Sequence, residues 1–464
     1  MLETATITTV LARRPSVRLE SAEKGLIVSG EGWQQLIPVA DAEIRQAVMG
    51  ILDGPLSSAE IVRRAMVGSG QMSAAIGTQL ALKRLQQLGV FEHVLFEPGG
   101  DRLAALTTEG AQPVLLLPYP EDGLARGLSP HAIATIADGE VVLQSGASHL
   151  QVALRPDLYA LLATGASDRL PAPVLAMLAT ARLLLTDDER ASRQVRQWHA
   201  ADLWFHRRNN ESRGCNGYGG TYHLAADFDP LPYARPVPEG GQALDLPVPD
   251  MASARHTDPP LADVMERRRS RRTFRSGATT REQLGALLYR SLRARQVHPD
   301  DRGLDVVDRP YPSGGSVHEI ETYVVVNDVA GIPPGVYRYA PERHQLDFVN
   351  GDPAIRARVN GDVQMTTRSE VPPPIVLLFG ARFGRLMWKY QGMPYSLLTK
   401  HVGVVYQTVY LNAEPLGLGV CGIGGTSLGL FAAATGADPL DEGAVGMMIL
   451  GTFDPAEADP WGRP

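Results

Sequence analysis

Residues 401–425 read HVGVVYQTVYLNAEPLGLGVCGIGG and contain the pattern that decides the fold. Apolar residues recur at spacings of three and four from Val402 to Ala413, which predicts an amphipathic helix that Pro415 helps to end. The glycines that follow predict a loop whose backbone can approach a flat ligand closely, with a plain helix-to-strand turn as the alternative. Their spacing also matches a dinucleotide-binding fingerprint, but that motif opens a helix, whereas here the helix comes first.

Length and charge limit the classes of protein to which this chain can belong. Its 464 residues suit two or three domains. The 44 basic and 51 acidic residues give a formal charge of -7, which argues against nucleic acid or an anionic membrane as the main partner. No apolar run reaches the length of about 18 residues that spans a bilayer. Glu3 precedes the first apolar stretch and Arg13 follows it, the reverse of a secretory signal, so we expect a soluble cytoplasmic protein.

The first half of the chain has the element order of winged-helix units. Residues 42–51 are periodic, Ser57 fits a helix cap, and a third helix runs toward Gly89, which can adopt the left-handed conformation. A degenerate repeat of this order begins near Leu158. We predict a winged-helix-like domain over 1–100, a second such unit or peptide clamp over 101–228, a proline-rich linker over 229–257 and a final domain over 258–464.

The final domain alternates predicted helices and strands. Asp258 is expected to cap a helix that contains Leu261, and Thr280 with Gln283 forms a capping box for the next helix. Strands are expected at 323–326, 336–339, 346–349, 375–379 and 445–450. The sequence therefore predicts an α+β fold with a sheet flanked by helices.

Three short motifs in this domain carry candidate chemistry. The basic run Arg267–Arg272 is either a solvated helix end or a phosphate site, because guanidinium groups bind phosphate through paired hydrogen bonds. The segment Pro312–Ser316 is either a tight turn or a source of a hydroxyl and unhindered backbone. Lys389 and Tyr390 can both transfer protons, although an isolated Lys-Tyr pair is usually an ordinary surface feature.

Taken together, these motifs resemble those of nitroreductase-like azoline dehydrogenases of the SagB/ThcOx type, which include cyanobactin thiazoline oxidases. The resemblance runs from Asp258 to Phe453 and rests on seven ordered segments: Arg268–Phe274, Tyr311–Gly315, Gly335–Tyr339, Trp388–Tyr390, Tyr395–Leu398, His401–Leu411 and Cys421–Gly425. The first half is also similar to the winged-helix region of that family.

The resemblance implies FMN at the interface of a homodimer, with no metal ion. The implied phosphate and ribityl contacts are Arg268, Arg269, Ser270 and Arg272. Pro312, Ser313 and Gly314 would approach the flavin from the partner subunit. The remaining implied cofactor contacts are Gln407, Ile423, Gly424 and Gly425, the last two through backbone near flavin N5. Lys389 and Tyr390 stand at the positions of the family's proposed catalytic pair.

By the same resemblance, the enzyme oxidises a thiazoline or oxazoline in a ribosomally made precursor peptide to the aromatic azole. Hydride would pass to FMN, a base would take a proton, and dioxygen would reoxidise the flavin. A cyclodehydratase of the same pathway would be a partner. Two alternatives stay open: a flavin oxidoreductase of nitroaromatics or quinones, and a peptide-binding partner without catalysis.

This chain departs from the family pattern in two places. Leu428 follows Ser427 where an acidic residue is common, and Gly451-Thr452-Phe453 lacks the basic pair that closes the phosphate site in many nitroreductases. The basic run near Arg268 would then carry the phosphate contacts.

Overall fold

The chain separates into two compact units, Met1–Thr221 and Tyr222–Pro464. The computed structural model describes residues 8–30, 33–70, 72–108, 112–122, 124–210, 219–237 and 241–454. Within those ranges, no helix combines the length and the apolar character needed to cross a membrane.

The first unit contains antiparallel sheets and short helices. Its strands are β1 (Thr8–Arg13), β2 (Arg18–Ala22), β3 (Gly25–Gly30), β4 (Trp33–Pro38), β5 (Phe91–Phe96), β6 (Arg102–Thr108), β7 (Arg126–Leu128), β8 (Ala132–Ala137), β9 (Glu140–Ser145), β10 (Leu150–Leu154) and β11 (Leu184–Thr186). Its helices are α1 (Ala42–Met49), α2 (Ser58–Ser69), α3 (Ser73–Gln87), α4 (Pro156–Ala163), α5 (Ala172–Thr180), α6 (Asp187–Ala191), α7 (Arg193–Arg196) and α8 (Ala200–Asn210).

The predicted helix order of this unit is confirmed. Ser57 caps α2 through a hydrogen bond from the Glu60 amide, and Gly89 follows α3 with φ +63°. A Cβ at Gly89 would lie 2.3 Å from the carbonyl oxygen of Gln112, so this turn requires glycine. One apolar core forms around α1, α2 and α3 and another around α4 and α5. The winged-helix assignment and the predicted domain boundaries stay predictions.

The second unit is built on a seven-stranded antiparallel sheet with the order β12-β17-β16-β15-β18-β20-β19. The strands of the second unit are β12 (Ala243–Asp245), β13 (Gln296–Pro299), β14 (Asp305–Asp308), β15 (Ile320–Val326), β16 (Gly335–Ala340), β17 (Gln345–Asn350), β18 (Ile375–Arg382), β19 (Leu418–Ile423) and β20 (Glu442–Thr452). Strands β13 and β14 form a separate two-stranded sheet. Its helices are α9 (Met251–Thr257), α10 (Leu261–Arg267), α11 (Arg281–Leu292), α12 (Pro353–Thr367), α13 (Phe383–Lys389), α14 (Pro394–Ala413) and α15 (Leu428–Thr435).

Both faces of this sheet are buried, which explains the continuous apolar runs in its central strands. Alternate residues of β15 and β18, such as Val324 and Leu377, pack with α11 and α14. Their neighbours Val325 and Val376 pack with α12 and α15 on the opposite face. The predicted α+β fold, with helices flanking a sheet, is confirmed.

Three local predictions need correction or extension. Asp258 is the C-cap of α9, and α10 begins at Leu261 after Pro260, because two prolines in succession prevent an earlier start. The expected glycine loop is mostly strand β19, since its backbone pairs with β20 from Leu418 to Ile423. The predicted linker 229–257 also contains ordered structure: Tyr233 is buried and β12 pairs with β17.

Candidate functional site

The segment Pro312–Ser316 forms a tight turn immediately before β15. Gly315 and Ser316 have φ +60° and +55°, and the Ser313 hydroxyl accepts a hydrogen bond from the His318 amide at 3.1 Å. A left-handed backbone conformation costs free energy at a residue other than glycine, so at Ser316 it persists only because the surrounding structure stabilises it. The turn therefore has one defined conformation, with Pro312 and Gly315 exposed.

Lys389 and Tyr390 meet this turn within the same chain. Lys389 ends α13, and its Nζ donates a hydrogen bond to the carbonyl oxygen of Gly315 at 3.2 Å. A Cβ at Gly315 would lie 2.5 Å from the Tyr390 hydroxyl and 2.8 Å from Lys389 Nζ. Two motifs that are separate in the sequence are thus one cluster in the fold.

The environment of the pair combines aromatic rings with partial burial. Lys389 Nζ lies 5.8 Å from the ring centroid of Tyr222 and 6.0 Å from that of Tyr390. The Tyr222 amide donates to the Lys389 carbonyl oxygen at 3.2 Å, which holds the Tyr222 ring beside Lys389 Nζ. Burial raises the pKa of Tyr390, and nearby Tyr222 and Glu319 add to the rise. Tyr390 is consequently a phenol at neutral pH, a hydrogen-bond donor rather than a base.

A buried polar pair supports the other side of the turn. His401 Nδ1 lies 2.7 Å from Glu319 Oε1, and His401 Nε2 accepts a hydrogen bond from the Gly314 amide at 2.7 Å. The sequence patterns assigned no role to His401 and did not single out Glu319. The only sequence-level indication was a polar residue on the buried side of a helix, which does not name its partner.

The basic segment lies beside the edge strand β19. The Arg271 amide donates to the Val420 carbonyl oxygen at 2.9 Å, and Ser270 forms a parallel bridge with Val420. The Arg268 guanidinium lies over the Tyr410 ring, 5.2 Å from its centroid. The Tyr410 hydroxyl accepts a hydrogen bond from the Gly422 amide at 2.7 Å and lies 3.2 Å from the Ser270 hydroxyl. Tyr410 therefore contacts both the basic segment and strand β19.

The other arginines of the segment differ in their surroundings. Arg269 follows α10, is exposed, and donates to the carbonyl oxygens of Glu266 and Arg268 at the C-terminal end of that helix. Arg272 is half-buried, and Arg271 lies 4.4 Å from the centroid of the Phe453 ring. The structure thus brings Arg268 and Ser270 together at Tyr410, while Arg269 contacts its own helix end.

The remaining predicted cofactor residues follow α14 and the end of β19. Gln407 is exposed on α14, one turn before Tyr410. Ile423 is buried at the last position of β19. Gly424 and Gly425 are exposed, and an added Cβ at either position would meet no heavy atom within 4 Å. Their backbone is therefore accessible to a ligand.

These residues fit a flavin mononucleotide in the chemistry of their donors. A guanidinium group and a hydroxyl at Tyr410 suit a phosphate, while open glycine backbone suits a planar ring. Helix α14 contacts the turn through His401 and the basic segment through Tyr410. These two residues lie nine positions apart, about 13 Å along the helix axis. Among the described residues, no cluster of histidine, cysteine and acidic side chains could hold a metal ion.

Comparison with known proteins identifies the family. Residues 265–452 match the model of the nitroreductase family. A Methanocaldococcus jannaschii protein classed as a nitroreductase is 31% identical over 187 residues, covering 40% of this chain and 85% of that protein. The chain belongs to the nitroreductase family. The matched residues lie within the second unit, so the domain that carries the motifs described above is the nitroreductase domain.

Two further relatives are named as processing proteins for trifolitoxin and for microcin B17. The trifolitoxin-processing protein of Rhizobium leguminosarum bv. trifolii is 28% identical over 30% of this chain and 38% of its own length. The microcin B17-processing protein of Escherichia coli is 30% identical over 24% of this chain and 42% of its own length. The chain thus spans less than half of each of these relatives. Together with the nitroreductase domain, they confirm the family resemblance seen in the sequence.

Proposed function

We propose that this protein is an FMN-dependent dehydrogenase that oxidises thiazoline or oxazoline rings of a ribosomally made peptide to thiazoles or oxazoles. One observation carries the proposal: Lys389 and Tyr390 lie directly against the Ser313–Gly315 turn of a nitroreductase domain. A proton-transfer pair at this position has a use in ring dehydrogenation, where one hydrogen must leave carbon as a proton. The names of the trifolitoxin-processing and microcin-processing relatives favour a peptide substrate.

Aromatisation of an azoline removes two hydrogens, one as a hydride and one as a proton. When bound, FMN would supply the electron-accepting chemistry and take the hydride. We assign the proton to Lys389, acting in its neutral amine form, because burial raises the pKa of Tyr390 and keeps that group a phenol. The Tyr390 hydroxyl would then orient the ring by donating a hydrogen bond to it.

The proposed cofactor contacts follow the chemistry of the donors. Arg268 and Ser270 would hold the phosphate, with Arg269 and Arg272 near the same end. Gln407 and Ile423 would line the ribityl and ring region, and Gly424 and Gly425 would offer backbone to the ring. Pro312, Ser313 and Gly314 would contact the flavin of the partner subunit in a homodimer.

The first unit has a proposed role in holding the peptide. It supplies 221 residues beyond the nitroreductase domain, which a small-molecule reductase would not need. A cyclodehydratase that makes the azoline is the proposed pathway partner, because the substrate ring must be formed before it can be oxidised.

The direct test is the absorbance spectrum of the purified chain, followed by incubation with a thiazoline-containing peptide. Flavin bands, an FMN mass after release and the loss of two hydrogens per ring support the proposal. A protein that stays colourless with added FMN contradicts it.

A second candidate is reduction of small molecules such as nitroaromatics or quinones. The Methanocaldococcus jannaschii relative favours it, since that protein is classed as a nitroreductase and 85% of its length is matched. This activity would not need Lys389 or Tyr390 as a proton-transfer pair, so variants of these residues separate the two candidates.

A further inference from the structure

The hydrogen-bonded pair of His401 and Glu319 is buried next to the turn. The proposed chemistry does not use this pair. His401 is 6% exposed and Glu319 is 1% exposed. Burying a histidine and a carboxylate costs free energy unless their hydrogen bonds are made, and here each ring nitrogen of the histidine has a partner.

The partners of His401 determine its protonation state. The Gly314 amide can only donate, so His401 Nε2 must present its lone pair. The proton of a neutral ring then sits on Nδ1 and is donated to Glu319 Oε1. An imidazolium ion cannot accept the Gly314 hydrogen bond, because both of its nitrogens carry protons.

The pair connects the turn to helix α14. Glu319 stands just before β15, and its other oxygen lies 3.4 Å from the Ser313 hydroxyl. His401 lies in the second turn of α14. Ser313 and Gly314 are therefore both held from the protein side, one by Glu319 and one by His401. The next residue, Gly315, holds Lys389.

We infer that His401 is a positioning residue: as a neutral ring oriented by Glu319 it keeps the Ser313–Gly315 turn in its flavin-binding conformation, and its protonation releases the Gly314 amide. The inference rests on the proposed FMN site and deepens it. It predicts that flavin affinity falls on the acid side through a residue that does not touch the flavin's reacting atoms.

Among the groups around the turn, His401 is the one whose protonation would remove the acceptor of the Gly314 amide. From the segment before β15, His401 is faced by Glu319, which it contacts, and by His318. Tyr390 lies near Glu319, Arg385 lies near His318, and Lys389 contacts the adjacent Gly315. Burial, together with Arg309 and His401, lowers the pKa of His318 to about 3, so that ring stays neutral above that pH. Tyr390 stays a phenol throughout the acid range because its pKa is raised.

The test measures the dissociation constant for FMN, by flavin fluorescence, between about pH 5 and pH 8, where histidine titrates. The proteins are the wild type, His401→Gln, Glu319→Gln and the control His256→Gln, which removes an exposed histidine of the same unit. Each variant is compared with the wild type at equal pH, which cancels the titration of the FMN phosphate. Thermal unfolding without FMN checks that each variant is folded.

We expect wild type and the control to lose up to about tenfold in affinity per pH unit below the midpoint. His401→Gln should lose less affinity than wild type at each acid pH, since an amide oxygen can accept the Gly314 hydrogen bond and does not protonate in this range. In Glu319→Gln the midpoint should move to lower pH, because the anion that stabilises the imidazolium is gone.

Two contrary results have different meanings. If wild type and His401→Gln bind FMN with the same pH dependence, His401 has no positioning role, although the flavin site stands. If wild type fails to bind FMN even at pH 8, the proposed function fails and this inference fails with it. A His401→Gln protein that is unfolded is replaced in the comparison by Glu319→Gln, whose midpoint must move.

Discussion

Lys389 Nζ lies 3.2 Å from the carbonyl oxygen of Gly315, so the last residue of α13 is joined to the left-handed residue of the turn before β15. The two residues are 74 positions apart in the chain. This contact places a proton-transfer group against the turn that the family resemblance assigns to the flavin.

Replacing Lys389 with alanine should reduce azoline oxidation by about a hundredfold to ten-thousandfold, the usual contribution of a general base. FMN binding should change little, because the proposed phosphate contacts lie near Tyr410. Turnover of a thiazoline peptide and FMN content are measured on the same preparation. Equal oxidation by wild type and Lys389→Ala would remove the residue from the mechanism.

Tyr390→Phe is the matched variant for the hydroxyl. It keeps the ring beside Gly315 and deletes only the donor, so we expect a smaller loss of azoline oxidation than in Lys389→Ala. Reduction of a nitroaromatic should be insensitive to both variants. Parallel loss of both activities would show that the pair maintains the whole site instead of serving proton transfer in ring oxidation.

Gly315→Ala should displace Lys389 and Tyr390 although neither of these residues is itself mutated. A Cβ there would overlap the Tyr390 hydroxyl, and φ +60° costs a non-glycine residue about 1 kcal/mol. We expect lower azoline turnover and a modest fall in the unfolding temperature. Gly429→Ala, at an exposed position with no atom within 4 Å of the new methyl group, is the control. Equal turnover in both variants would show that the turn tolerates movement of Lys389.

Arg268→Ala should weaken FMN binding by about tenfold to a hundredfold, as expected for loss of a charge-assisted hydrogen bond to phosphate. Arg267→Ala is the matched control, since Arg267 is exposed and its nearest acidic partner is Glu414 at 3.6 Å. Riboflavin, which lacks the phosphate, should bind both variants equally. If Arg268→Ala and Arg267→Ala lose FMN affinity equally, the effect is general electrostatics rather than a specific contact.

Acid should destabilise the second unit through His318. Burial lowers the pKa of this group from 6.5 to about 3, so the unfolded chain binds a proton more readily than the folded one. Stability contributed by the neutral ring is present above pH 6.5 and is lost as pH falls toward 3, by at most about 1.4 kcal/mol per pH unit.

His318→Asn suits the measurement because asparagine tolerates the φ of +48° found at this position. Urea unfolding at neutral and acid pH should show a smaller acid loss in this variant than in wild type. His256→Asn, at an exposed position, should behave as wild type. An unchanged acid loss in His318→Asn would assign it to other groups.

Much of the second unit could be predicted from local pattern. The strands predicted at 323–326 and 375–379 lie within β15 and β18, and the Thr280–Gln283 capping box forms as expected. These features depend on residues within a few positions of each other. Strand β19 was harder to predict, because glycines are depleted in strands and here the pairing with β20 overrides that preference.

The assembly of the site could not be predicted in the same way. The contacts of His401 with Glu319 and of Tyr410 with Ser270 join residues 82 and 140 positions apart. They depend on the register of β15 and the position of α14 on the sheet, which no local pattern specifies. The family resemblance pointed to the Lys389–Tyr390 pair, whereas its contact with Gly315 emerged only from the fold.

The most direct test of the proposed function is mass spectrometry of a thiazoline-containing peptide after incubation with the FMN-loaded full chain in air. Loss of two hydrogens per ring in wild type, and no loss in Lys389→Ala that retains FMN, is the predicted result. An unchanged peptide mass with the flavin-loaded wild type and the pathway's cyclodehydratase present would contradict azoline oxidation.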